Sequence, residues 1–309
     1  MRCPIALALV AAAIALPSCS GKDASQEHAG KPVVFVSVLP QAYLAERIAG
    51  GHVDVEVLVG PGQNPHTYAP TPGQMTRLLQ ARVFFRAGMP FEETLLPKLG
   101  SNKRLRIIDM RKGIALLPDK HEGEADHGPA AAHEAQDEGD MDPHTWLSPR
   151  LAKAQARTLG EALAEIDPVH RSDYERNLQR LQADLDAVEA EIASALAPLR
   201  GRTFFVFHPA FGYFAQEFGL IQEAVETGGK TPGPKHIKEL IDKARQEGIR
   251  VIFVEPQFSE QTAKAIAREI GGVVVALDPL SKDYFANLRD VARKIHDALS
   301  PPAPAAEGA

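Results

Sequence analysis

Eleven histidines are spread along the 309-residue chain, and three of them share a local setting. They lie in Asn64-Pro65-His66-Thr67-Tyr68, Asp142-Pro143-His144-Thr145-Trp146 and Phe207-His208-Pro209-Ala210-Phe211. Each touches a proline, whose fixed φ stiffens a loop and holds an imidazole in place before any ligand arrives. A fourth candidate is the carboxylate of Leu277-Asp278-Pro279-Leu280, directly after an apolar run. Three imidazoles and one carboxylate make a four-coordinate set suited to zinc. Taken singly, each histidine reads as a loop residue bonded to backbone; the set carries the case. Both cysteines of the chain, Cys3 and Cys19, fall at its start. A metal site further along must therefore use nitrogen and oxygen.

Ligands from four distant loops have to be brought together by a scaffold, and the sequence supplies one. Short β-branched runs begin at Val33, Val53, Arg82 and Leu105, and a second set spans 203–207, 220–225, 250–254 and 272–277. Helical patterns such as Gln41 to Ala49 and Pro72 to Ala81 separate them. Near-continuous apolar strands alternating with helices predict an α/β chain with two lobes, each a four-stranded, mainly parallel sheet flanked by helices. His208 and Asp278 then fall at the carboxyl ends of strands, where open α/β sheets bind ligands. Between the lobes Tyr174, Leu178, Leu181, Leu185, Val188, Ile192 and Leu196 recur at helical spacing. They predict one long rigid helix over 167–199, about 45 Å of rod, joining the lobes. The stripe covers only about four heptads, which favours a spine within a monomer over a coiled-coil dimer.

The expected organisation is a signal peptide over 1–19, a tether over 20–31, an N-terminal lobe over 32–166, the linking helix, a C-terminal lobe over 200–300 and a disordered tail over 301–309. The start pairs a positive charge with an apolar run from Ile5 to Leu16, the pattern of an export signal and too short to span a membrane. Leu16-Pro17-Ser18-Cys19 resembles a bacterial lipobox, which makes Cys19 a lipidation site and the membrane a partner through that anchor. The formal charge of −6 is uneven: residues 119–142 carry nine acidic side chains against one lysine. No basic stripe exists to receive a nucleic acid. Gly228-Gly229-Lys230-Thr231 lacks the phosphate-loop pattern, so no nucleotide is implied.

Four strings carry a resemblance to a known family: Gly62-Gln63-Asn64-Pro65-His66-Thr67-Tyr68, Met141-Asp142-Pro143-His144-Thr145-Trp146-Leu147-Ser148-Pro149, Phe207-His208-Pro209-Ala210-Phe211-Gly212-Tyr213 and Phe253-Val254-Glu255-Pro256-Gln257-Phe258. Together and in this order they resemble the cluster A-I zinc and manganese solute-binding proteins of ABC transporters, over nearly everything from Val33 to Leu299. The resemblance implies a metal held in the cleft between two lobes and handed to a membrane permease with its ATPase, outside the cytoplasm. It places His66, His144, His208 and Asp278 on the family's four ligand positions. Manganese members place a carboxylate at the third position and zinc members a histidine. His208 therefore implies Zn2+ as the transported ligand, with Mn2+ second, and nitrogen-rich sites do favour zinc over manganese. Zinc members also carry a charged, histidine-containing loop before the second ligand. Residues 119–142 match that trait, with His121, His127 and His133 as a weak auxiliary site.

Two other functions use the same features. A secreted zinc hydrolase would need an open coordination position and a general base; four protein ligands close the site, and His-Glu-x-x-His is absent. A metal-binding adhesin on the same scaffold is the second alternative. Glu255, at the end of its strand, has two roles open to it, an outer partner of a ligand histidine or a structural part of its Pro-Gln turn, and Tyr68 and Trp146 either wall the cleft or pack beside their loops.

Overall fold

The computed structural model describes residues 30–118, 141–226 and 232–300. The expected signal peptide with Cys19, most of the tether, His121, His127 and His133, the Gly228-to-Thr231 stretch and the tail lie outside the described residues. From Lys31 on, the described residues form one compact unit.

Both expected sheets are present and wholly parallel. In the first, β1 (Val33–Val36), β2 (Asp54–Val57), β3 (Val83–Arg86) and β4 (Arg106–Asp109) stand in the order β2-β1-β3-β4. In the second, β5 (Thr203–Val206), β6 (Ile221–Ala224), β7 (Val251–Val254) and β8 (Val273–Ala276) repeat it as β6-β5-β7-β8. The inner strands read VVFV, VFFR, TFFV and VIFV and are almost entirely buried, as strands covered on both faces must be. Each sheet has one topological switch point, between β1 and β3 and between β5 and β7, where crossovers leave in opposite directions and open a crevice.

Helices α1 (Leu39–Ala49), α2 (Pro72–Gln80) and α3 (Pro90–Leu99) cover the first sheet. The second is covered by α6 (Gly212–Phe218), α7 (Pro234–Glu247), α8 (Gln261–Glu269) and α9 (Tyr284–Leu299). The linking helix α5 runs Arg171–Leu196, with a 3-10 turn at each end, Pro168–His170 and Ala197–Leu199. Its 26 residues make a rod of about 39 Å. The predicted stripe is buried within the chain at Tyr174, Leu181, Leu185, Val188, Ile192 and Leu196, which leaves no seam for a zipper. Asn177 Nδ2 donates to the Ile48 carbonyl and Arg289 pairs with Glu191, so the one rod is fastened to α1 of the first lobe and α9 of the second.

The spine is not alone. Helix α4 (Pro149–Ile166) packs along α5, with Gly160 facing Leu178 so closely that a Cβ there would lie 3.0 Å from Leu178 Cδ2. Its buried face is rich in small residues, Ala152, Ala156, Gly160, Ala162 and Ala164 beside Leu159 and Leu163. Such a face permits close approach of two helices. Among the described residues no helix is long and apolar enough to cross a membrane.

Candidate metal centre

The three Pro-flanked histidines converge. One ring nitrogen from each of His66, His144 and His208 lies within 4.8 Å of the others. The tightest pair is His144 Nε2 and His208 Nε2, 3.3 Å apart. Two nitrogens each about 2.05 Å from one tetrahedral zinc stand about 3.35 Å apart, so this pair already has the spacing an ion requires. A void of about 10 Å³ lies among Pro65, His66, His144, His208, Gln257, Phe258, Pro279 and Leu280, the room of a single small ion or water.

Local chemistry explains how each ring is held. In Asn64-Pro65-His66 and Asp142-Pro143-His144 the Asx side chain accepts the histidine N–H two residues on, at 2.8 and 2.9 Å. This Asx turn, with proline fixing the middle φ, presents the imidazole on a rigid step. The loop that carries His66 is closed by Gln74. Its Nε2 donates to the Leu58 carbonyl at the start of the loop, while its Oε1 accepts from the Tyr68 hydroxyl near the end. His208 follows β5 directly. The ladder runs past the strand ends, with Val225 N–H to Val206 O and Glu226 N–H to Phe207 O, which lays Glu226 alongside His208.

Carboxylates stand behind two of the rings. Asp142 Oδ1 is 2.8 Å from His144 Nδ1, and Glu226 Oε1 is 2.5 Å from His208 Nδ1. An ionised carboxylate only accepts, so each Nδ1 carries the hydrogen and each Nε2 turns its lone pair toward the void. A carboxylate partner of this kind raises the basicity of a metal-ligating imidazole. Both pairs are buried, the Glu226 and His208 side chains at 3% exposure each. Phe258 stacks on His208 at 4.7 Å, and the Trp146 ring meets His144 edge to face at 5.3 Å.

Glu255 meets His208 through the main chain: its Oε2 accepts the His208 N–H at 3.1 Å. It is fully buried at the switch point beside His208. Burial pushes its carboxyl well above the usual range, against two backbone donors, and the neighbouring charges of Glu226 and Asp278 add to the rise. The corresponding crevice of the first sheet is filled by Glu92, whose carboxylate accepts from the Ser37 hydroxyl and the Ala87 and Gly88 N–H groups. With that crevice occupied, the first lobe offers its two histidines from longer loops.

Asp278 stands apart from the group of three. It makes the same Asx-Pro-X turn, accepting the Leu280 N–H at 2.9 Å, and its Oδ1 also accepts from Gln257 Nε2 at 3.0 Å. Tyr68 packs against Phe91 at 5.0 Å, away from the void. Asp142 and Glu226 as ring partners escape a reading of ligand types alone. For Asp142 a signal exists, since an aspartate two residues before a histidine is placed for both its N–H and its Nδ1. Glu226 is brought in by the pairing of β5 with β6, which no local spacing announces.

The chain is similar to known proteins over most of its length. The model of the periplasmic zinc-uptake complex component A family matches residues 34–298. The high-affinity zinc uptake system protein ZnuA of Yersinia pestis is 30% identical over 276 residues, covering 82% of this chain and 86% of that protein. A crystal structure of ZnuA superposes with a TM-score of 0.78 at 40% identity, covering 88% of this chain and all of the other. A ZnuA deletion mutant with zinc bound gives 0.78 at 38% identity, covering 89% and 100%. The chain belongs to the family of periplasmic zinc-uptake complex component A, the zinc-type solute-binding proteins of ABC importers, which are carriers and not enzymes.

Proposed function

We propose that the protein captures one Zn2+ between its lobes with His66, His144 and His208 as nitrogen ligands and Asp278 as the fourth, and delivers it to the permease of its importer. The observation that carries the site is the pair of Nε2 atoms 3.3 Å apart, each on a ring whose Nδ1 faces a buried carboxylate. Asp278 joins through Oδ2, its Oδ1 being engaged by Leu280 and Gln257. A nitrogen-rich set of this kind selects zinc over manganese. The protein acts as a monomer anchored by lipid on Cys19 outside the cytoplasm, with lobes over 32–166 and 200–300. His121, His127 and His133 serve as a weak auxiliary site that raises the local zinc concentration.

Metal analysis and competitive zinc titration of the form starting after Cys19, against His208→Ala, test the site. We expect one tightly bound zinc per chain, lost in the variant. Unchanged tight binding in His208→Ala refutes the assignment. Deleting 120–139 is expected to remove only additional, weaker zinc, and loss of the tight ion in that deletion refutes the division between the two sites.

A further inference from the structure

His144 lies on the chain segment leading out of the first lobe, and groups of the second lobe help to hold that segment. The Tyr213 hydroxyl, on α6, donates to the Asp142 carbonyl at 2.8 Å and accepts the Leu117 N–H at 2.9 Å. Leu117 and Asp142 also pair directly, Asp142 N–H to Leu117 O at 2.9 Å, beside the antiparallel bridge of Pro118 with Met141. One buried phenol therefore sits at the neck where the chain returns toward His144. The residue before it closes in as well: a Cβ at Gly212 would lie 2.8 Å from Asp142 Oδ2. On the far side of His144, Trp146 Nε1 donates to the Pro279 carbonyl at 2.8 Å, and the Tyr284 hydroxyl donates to the Trp146 carbonyl.

From this arrangement we infer that Tyr213 is a positioning residue for His144, fixing through Asp142 the height and tilt of that ring over the site. The chain of contacts is short and each link is directional. Tyr213 holds the Asp142 main chain, Gly212 leaves the room in which the Asp142 carboxylate lies, and Asp142 Oδ1 takes both the N–H and the Nδ1–H of His144. His144 is thereby registered to the lobe that carries His208, and the 3.3 Å spacing of their Nε2 atoms is set within one frame. His66 alone is presented from a loop closed within the first lobe. A ligand pair preset in this way loses less rotamer freedom when the ion arrives, which is how rigid support converts into affinity. The inference rests on the zinc site proposed above.

Tyr213→Phe removes the hydroxyl and keeps the ring. Its zinc affinity is expected to fall about three- to tenfold, less than the tenfold to hundredfold typical of a direct ring partner, because Tyr213 acts one residue further out. In the metal-free protein the ring nitrogen resonances of His144 should shift while those of His66 hold. With Co2+ in place of zinc, the visible ligand-field bands should change in intensity. Tyr174→Phe is the control: it deletes another tyrosine hydroxyl bond, from the spine to Asp167 at the end of α4, and should lower the melting temperature with zinc affinity unchanged. Gly212→Ala, pressing on Asp142, should move affinity and the His144 resonances in the same direction as Tyr213→Phe. Zinc affinity within twofold of wild type in Tyr213→Phe, or an equal loss in Tyr174→Phe, overturns the inference. Absence of tight zinc in the wild-type protein overturns the site itself, so the two failures are told apart.

Discussion

Replacing Glu226 by glutamine changes one atom of a buried pair, and the cost can be worked out from the contacts. Glu226 Oε1 lies 2.5 Å from His208 Nδ1, with both side chains almost fully out of water. Glutamine retains an acceptor oxygen, so the tautomer that presents Nε2 survives; the negative charge that makes the imidazole a better donor to zinc does not. Outer partners of metal-bound histidines are worth tenfold to a hundredfold in affinity. With the tautomer preserved, Glu226→Gln should fall at the low end, a roughly tenfold weaker zinc Kd, about 1.4 kcal/mol. Glu226→Leu loses both charge and acceptor and should approach a hundredfold, about 2.7 kcal/mol. Competition against a chromophoric chelator at fixed pH reads both, and circular dichroism of the metal-free variants verifies the fold. Affinity in Glu226→Leu within twofold of wild type would refute the claim that a carboxylate tunes His208.

Other perturbations separate the remaining contributions. Asp278→Ala should weaken zinc at least as much as loss of an outer partner, tenfold or more, and add a water to the coordination sphere, visible by X-ray absorption; unchanged affinity removes Asp278 from the ligand set. Zinc binding should weaken in mildly acidic solution, because imidazoles must be neutral to bind and any charged ones release protons on loading; a pH-independent Kd between pH 5 and 7.5 contradicts histidine ligation. At the foot of the spine, burial opposes ionisation of Asp167, but hydrogen bonds from Tyr174 and His170 outweigh it and hold the carboxyl below its ordinary value. That stabilisation is present above the unfolded-state pKa and is lost as pH falls through the depressed folded-state value. Urea unfolding should therefore find wild type more stable than Asp167→Asn at pH 6, with the gap closing below about pH 4; a gap that widens in acid refutes the assignment.

The sequence carried the scaffold and the histidines because both depend on local pattern. The inner strands are short apolar runs between turn signals, such as Val33–Val36 and Val251–Val254, and the spine's stripe recurs at helical spacing. The three histidines stood out because an Asx or a proline beside each one fixes its loop locally. Residues whose roles depend on pairing across the sheet were out of reach: Glu226 reaches His208 through the β5–β6 register, and Tyr213 reaches Asp142 from another lobe. Helix α4 packs on α5 through alanine and Gly160, a contact between two helices that residue spacing within either one does not assign. Asp278 shows the ambiguity of a shared motif. The Asx-Pro-X turn presents its third residue at His66 and His144, whereas at 278 the Asx itself is the candidate, and one of its oxygens is occupied by the turn.

These contacts also bear on how loading is signalled. Two carriers with the same site chemistry could close by rotating the lobes about a hinge or by moving loops within a fixed frame. Here the lobes share α5 along its length, and the seam between them is stitched by Trp146 to Pro279, Tyr284 to Trp146, Tyr213 to Asp142, Glu217 with Ser148 at the start of α4, and Lys282 to Glu46. Several of these bonds join buried groups, and rotation would leave each partner unpaired at about 1–3 kcal/mol apiece. Loop adjustment strands none of them. The His66 loop, tied within its own lobe by Gln74, can move against the His144–His208 pair without breaking the seam. Small-angle scattering should accordingly show the same radius of gyration with and without zinc, while amide exchange slows in residues 58–71. A clear contraction on adding zinc, with exchange in that loop unchanged, would mean that the seam opens and that the lobes, not the loop, report the ion.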